Sequence, residues 1–299
     1  MNYQEFKAAA LEGLQKSYQE EAKTEICEVF KNNGRSYEGI RITLKTDLHK
    51  PVPMIDINYY YEKYEKGEGN LMECIEEIME ARKKHSCPNW LEQFAGKVTD
   101  WEYVKEHVYP VLLSTKENQK VLKNLVSKPF LDLSIIYIIR EDSLGEWRGS
   151  ARITKLMLEY YGVGKEQLHQ QALENLKKDG YEFQDMKEIL KKLPFVVEKE
   201  DEPEEGIEMY ILTNANGFYG AAGILDKNLL KQFAGSQDYY ILPSSLHEWI
   251  FVPAVDKEAK EVLDLMVGEV NTEVVDAEER LSDHCYYYDA KENEIRMCA

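Results

Sequence analysis

From residue 244 the chain reads Ser-Ser-Leu-His-Glu, its densest run of side chains with chemistry to offer. Ser244 and Ser245 bring hydroxyls, His247 an imidazole and Glu248 a carboxylate, and Asp283 with His284 supplies a second acid–imidazole pair. Hydroxyl, imidazole and carboxylate are the parts of a nucleophile, a base and an orienting group, so hydrolysis through Ser245 and His247 is one reading. It requires Asp283 and His284 to come alongside, as they would if the final hairpin packs beside the Trp249–Val252 run. The pattern contains neither a GxSxG elbow nor an HExxH pair, and serines after a strand-ending proline commonly satisfy turn backbone groups. Metal ligation by His247, Glu248, Asp283 and His284 together is disfavoured, because adjacent strand residues face opposite sides.

The elements that must position this run lie within residues 209–253. Met209 to Leu212 and Tyr239 to Leu242 are short runs of aliphatic, aromatic and β-branched residues that read as strands. Between them Ile224, Leu225, Leu229, Leu230 and Phe233 recur at helical spacing, with Asp226 and Lys227 opposite and Gly235 as a stop. Pro243 is expected to end the second strand, and Ser244 and Ser245 to turn the chain into a buried Trp249–Val252 strand. The polar run then sits at a strand end. The intervening GFYGAAG matches neither a P-loop nor a dinucleotide fingerprint, and no cofactor is expected.

Before this stretch, Phe6, Ala9, Ala10, Leu14 and Tyr18 predict an opening amphipathic helix. A hairpin follows, with its turn at Asn32, Asn33 and Gly34, then a helix from Asn70 with Cys74 on its apolar stripe. Pro88 and Gly96 mark a soft boundary, giving an N-terminal α+β layer over 1–97 and a larger C-terminal α+β domain over 98–299. In the second, Thr115 is expected to cap a helix over 116–126, and the β-branched run 130–141 should be a central strand. His169 reads as a partly exposed helix residue, and 199–206 as a solvated loop. A helix is expected over 256–273, where Ala259, Val262, Leu263, Leu265, Met266 and Val270 give a broad buried face, and Cys285 to Tyr288 and Glu294 to Met297 are expected to form the arms of a final hairpin turning at Asp289 to Asn293. The fold class is α+β, with mixed sheets, strand–helix–strand units and covering amphipathic helices.

At 299 residues and 43% hydrophobic, the chain is long and apolar enough to bury a core, which argues against disorder. Five cysteines, an odd number without a CxxC pair, argue against a disulfide framework and a thiolate zinc site. No apolar run approaches the roughly 18–20 residues that span a bilayer, and residues 1–21 lack a basic leader, so the expected setting is cytoplasmic with no membrane contact. The net charge is −18, and residues 201–299 carry most of it, with seven Lys and Arg against 21 Asp and Glu. Such a field repels phosphates and argues against direct nucleic-acid binding.

The segments GAAGILDKNLLKQFA, DYYILPSSLHEWIFVP, NTEVV and LSDHCYYYD, with the helical ITKLMLEYYGVGKEQLHQQALENLKK, resemble a family of uncharacterised Firmicutes proteins defined only as a domain of unknown function. From residue 131 onward the order of elements is also similar, more distantly, to a second uncharacterised bacterial family. The resemblance covers most of the chain and implies an intact module. It brings no catalytic residues with it.

Two functions therefore stand side by side. One is a binding or regulatory module whose acidic C-terminal surface meets a basic protein, with Glu248, Trp249, Tyr286, Tyr287 and Asp289 as rim and anchors. The other is a hydrolase drawing on Ser244, Ser245, His247, Asp283 and His284.

Overall fold

The computed structural model describes residues 1–47, 50–85, 87–144, 147–192, 208–255 and 260–298. The expected loop at 199–206 lies outside these residues. Met1–Lys31, Arg35–Asp100 and Glu141–Gly149 make one compact unit, and the rest of the described chain makes a second.

In the first unit, α1 (Tyr3–Tyr18) starts at a capping box. The Asn2 side chain accepts the Glu5 N–H at 3.0 Å, and the Glu5 carboxylate accepts the Asn2 N–H at 2.9 Å. The helix buries Phe6, Ala10, Leu14 and Tyr18 over an antiparallel sheet in the order β1 (Ala22–Phe30), β2 (Ser36–Leu44), β3 (Met54–Asp56). Three helices follow, α2 (Ile57–Glu65), α3 (Leu71–Lys84) and α4 (Asn89–Lys97). Cys74, Ile75 and Ile78 of α3 join the same core as Ile40 and Ile42 of β2. The α1–α3 contact is close: a Cβ at Gly13 would stand 2.4 Å from Ile75 Cδ1. Arg82, on α3, is buried, donates to the Ile42 carbonyl at 2.8 Å and pairs with Asp47.

The second unit begins with α5 (Trp101–His107) and a sheet built on β6 (Leu133–Leu144), whose residues up to Arg140 belong to it. Antiparallel β4 (Val108–Ser114) and β5 (Ser127–Phe130) flank β6, and β7 (Trp147–Arg152) also pairs with it. Ile135, Ile136, Ile138 and Ile139 of β6 are all buried, as a strand rich in β-branched residues requires. The helix expected over 116–126 is reduced to one turn, α6 (Gln119–Leu122). Thr115 does not cap it; its hydroxyl bonds that of Ser134 on β6 at 2.8 Å, a side chain the local sequence could not anticipate. Two helices follow: α7 (Lys155–Tyr161), capped by Thr154, and α8 (Lys165–Leu176).

The remaining elements are β8 (Glu182–Asp185), α9 (Met186–Lys191), β9 (Tyr210–Thr213), α10 (Lys227–Ala234), β10 (Tyr239–Ser245), β11 (Glu248–Pro253), α11 (Lys260–Glu273), β12 (Tyr286–Asp289) and β13 (Glu294–Met297). Their strands form one antiparallel sheet in the order β13-β12-β10-β11-β9-β8. The chain is thus α+β in both units.

Two expectations change here. Pro243 does not end β10: it pairs with Trp249, and the strand runs on to Ser245 through a register shift. A bulge tolerates the missing N–H of proline. The final hairpin lies beside β10, with Tyr239 opposite Tyr288, while the other side of Trp249–Val252 is taken by β9.

A polar network sits inside this unit. Arg140 and Asp179 form a buried bidentate pair, Asn214 Nδ2 donates to Asp179 at 3.0 Å, and the guanidinium lies 3.8 Å from the centre of the Tyr109 ring. Charges this deep persist because each has a partner.

Candidate functional site

The Ser-Ser-Leu-His-Glu run occupies the tight connection between β10 and β11, and local hydrogen bonds absorb most of it. Ser244 Oγ donates to Glu248 Oε1 at 2.9 Å, and Ser245 Oγ accepts the His247 backbone N–H at 3.0 Å. The His247 ring takes other partners. Its Nδ1 accepts the Tyr219 N–H at 3.1 Å, which leaves the ring proton on Nε2 to point at Glu279 Oε1, 3.3 Å away. Both ring nitrogens are therefore engaged, and neither meets a serine.

The glycine-rich segment before α10 explains this placement. Tyr219 takes a positive φ of 54°, which aims its N–H at His247. At Gly220 a Cβ would stand 2.3 Å from the His247 carbonyl oxygen and 2.5 Å from Thr213 Oγ1. Thr213 in turn donates its hydroxyl to that carbonyl at 2.9 Å. GFYGAAG is thus a close-approach segment, and the Trp249 indole N–H donates to the Ala221 carbonyl at 2.7 Å.

Asp283 and His284 take separate partners. Asn271 Nδ2, on α11, donates to Asp283 Oδ1 at 2.8 Å. His284 Nδ1 lies 3.1 Å from the Cys285 carbonyl, and Nε2 lies 3.1 Å from Asp132 Oδ2. Both neighbours are acceptors, so the imidazolium is the form that satisfies both ring nitrogens. The hydrogen bond to Asp132 raises the His284 pKa above its ordinary value against the opposing effect of burial. Burial alone would push the Asp132 carboxyl up, but the bonds from His284 and from Tyr286, whose hydroxyl donates at 2.7 Å, hold it below its ordinary range. Asp132, Asp283 and His284 line a cleft of about 300 Å³ together with Asn33, Lys116 and Arg280. Among the described residues, no group of three His, Cys, Asp or Glu side chains is arranged to hold a metal ion.

The expected anchors are largely inside. Trp249 and Tyr286 are buried, and so is Tyr288, whereas Tyr287 on the opposite strand face is half-buried and donates to Asp238 Oδ2 at 2.7 Å. Asp289 pairs with Arg296 and accepts the Glu292 N–H in the hairpin turn at 3.0 Å. Strand alternation decides this, since it turns every second residue of a run of tyrosines into the core.

An accessible apolar surface lies instead on α11. Leu263 and Val267 pack with Tyr240, Leu242 and Val252, while Val262, Leu265, Met266, Val270 and Val274 face solvent, Leu265 with 69% of its surface exposed and Val274 with 78%. Glu261, Glu269 and Glu273 are exposed among them. The broad buried face expected from Ala259, Val262, Leu263, Leu265, Met266 and Val270 is found at Leu263 alone among its described members, because the apolar arc is wider than the helix can bury on a single side.

A further groove, of about 570 Å³, has mainly apolar walls that include Phe130, Leu173, Ile224, Leu230 and Ile295. His169 lines it half-buried, with Nδ1 3.0 Å from the buried Tyr137 hydroxyl. Burial and nearby Lys128 lower its pKa, which favours the neutral ring, and a neutral ring with Nδ1 unprotonated accepts a hydrogen bond from the Tyr137 hydroxyl.

These features define an α+β protein with no helix among the described residues long and apolar enough to cross a membrane. The chain belongs to the family of unknown function DUF5688, whose sequence pattern it matches over residues 3–290. No curated protein and no solved structure matches it.

Proposed function

We propose that the protein is a binding module whose second unit takes a basic, amphipathic segment of a partner protein on the solvent face of α11. The carrying observation is the exposed row Val262, Leu265, Met266 and Val270 on a helix whose other side is already packed, continued by exposed Val274 just past its end. A contiguous exposed apolar patch of this kind is the usual mark of an interaction surface. Glu261, Glu269 and Glu273 are exposed on the same helix, and among the described residues its sole cation, Lys260, lies 4.0 Å from Asp264. The partner fitted to such a face carries apolar side chains flanked by Lys or Arg. The −14 balance of residues 201–299 favours that same partner and disfavours nucleic acid. A cytoplasmic setting fits five unbridged thiols. Hydrolysis through Ser245 would need an imidazole nitrogen facing its hydroxyl, and both His247 nitrogens hold other partners.

The test uses a synthetic amphipathic helix with leucines on one side and lysines on the other, titrated calorimetrically into the full chain. Saturable binding is expected at low salt, weakened about tenfold by V262S/L265S/V274S and also by E261Q/E269Q/E273Q or by high salt. Equal binding by the parent and both variants, or no binding, overturns the proposal.

A further inference from the structure

The β12–β13 ladder pairs Tyr286 with Met297, and one residue beyond its end the Cys285 and Cys298 side chains meet. Residues directly opposite on antiparallel strands have Cα atoms about 4.5–5.5 Å apart, inside the span that a disulfide bridges. The two sulfurs lie 3.3 Å apart, with the Cys285 thiol donating to Cys298 Sγ, and both cysteines are free. Closing to a bond of about 2.0 Å brings the sulfurs a little over 1 Å nearer.

The two thiols differ in access. Cys285 is fully buried, and its backbone N–H is held by Asp264 Oδ1 at 2.8 Å. Cys298 is half-buried and lines a surface groove of about 380 Å³ with Lys260, Tyr287 and Arg296. The hydrogen bond from Cys285 holds the Cys298 pKa below that of an ordinary thiol, against burial and the charge of Asp264, and Lys260 and His284 act in the same downward direction. The same bond, together with burial, pushes the Cys285 thiol up. The accessible sulfur is therefore the one favoured as thiolate, and the protonated one waits behind it.

We propose that Cys298 is a modification site for a low-molecular-weight disulfide and that Cys285 resolves the adduct into a reversible bridge across the β12–β13 hairpin. The Cys298 thiolate attacks one sulfur of the small disulfide, expels the first thiolate and forms a mixed disulfide. Cys285 then gives up its proton, attacks Cys298 Sγ and expels the second thiolate. The small disulfide gains two electrons and leaves as two thiols; the two cysteines lose two electrons and two protons. The bridge ties β13, an edge strand, to the sheet by a covalent bond next to its ladder. This inference is independent of binding at α11.

The experiment incubates the folded full chain with glutathione disulfide, quenches with an alkylating agent and maps all five cysteines by mass spectrometry, with Cys27, Cys74 and Cys87 as internal comparison. The expected product has lost two hydrogens, carries no glutathione, yields a linked Cys285–Cys298 peptide and reverts with dithiothreitol. Its unfolding midpoint should rise by about 5 °C over the reduced protein. C285S should stop at a stable glutathione adduct on Cys298, and C298S should form neither bridge nor adduct at Cys285. Parent protein that keeps the adduct as C285S does, or labels all five cysteines alike, overturns the proposal.

Discussion

His284 Nε2 lies 3.1 Å from Asp132 Oδ2, joining the segment before β12 to the residue before β6 across 152 positions of sequence. The pair acts as a strap, with the other ring nitrogen on the Cys285 carbonyl and Asp132 also holding the Tyr286 hydroxyl.

This strap makes stability depend on pH in a defined window. His284 has a raised pKa in the fold, so its contribution is complete below the ordinary value of about 6.5 and drains as pH rises through the folded value. Asp132 has a lowered pKa, so its contribution is complete above about 3.9 and drains as pH falls through the folded value. Both are present between about pH 4 and 6.5. Urea unfolding of the parent and D132N across pH should give its largest difference there; a difference that does not vary with pH would sink this account.

Arg140 and Asp179 test the buried network. Removing Asp179 alone, as in D179A, takes the bidentate partner from a buried guanidinium and should cost about 3–5 kcal/mol. R140M/D179L removes both charges and should recover most of the loss, as read by denaturant midpoints. A double variant no more stable than D179A would contradict it.

Gly220 supports the β10–β11 connection by having no side chain. G220A places a methyl group against the His247 carbonyl and Thr213 Oγ1 and should lose about 1–3 kcal/mol. S245A removes only one turn hydrogen bond and should lose about 1 kcal/mol. Thermal melts that rank the two in reverse would overturn this view of the segment.

The two apolar sides of α11 should separate cleanly in stability. Leu263 is buried, and L263A should cost about 2–5 kcal/mol. L265S on the solvent side should stay within about 0.5 kcal/mol of the parent. A large loss on melting L265S would mean that its side chain is covered.

Much of the architecture was legible because it is local. Four-residue spacing of Phe6, Ala10, Leu14 and Tyr18 sets one face of α1, Thr154 can cap only the helix that follows it, and the isoleucines of β6 suit little but a buried central strand. These signals sit within a few residues of what they decide.

The candidate site was legible only as an inventory. Ser245, His247 and His284 are visible in the chain, but their bonding depends on Glu279, Tyr219 and Asp132, which no short-range pattern links to them. The aromatic run at 286–288 announces a strand and leaves open which face is buried; pairing with β10 settles that Tyr286 and Tyr288 go inside. Pro243 looks like a strand end until Trp249 is opposite it. Local composition determined the elements of this protein, while strand order and register determined which side chains meet, because a contact between distant residues is fixed by the packing of whole elements and leaves no periodic trace in either one.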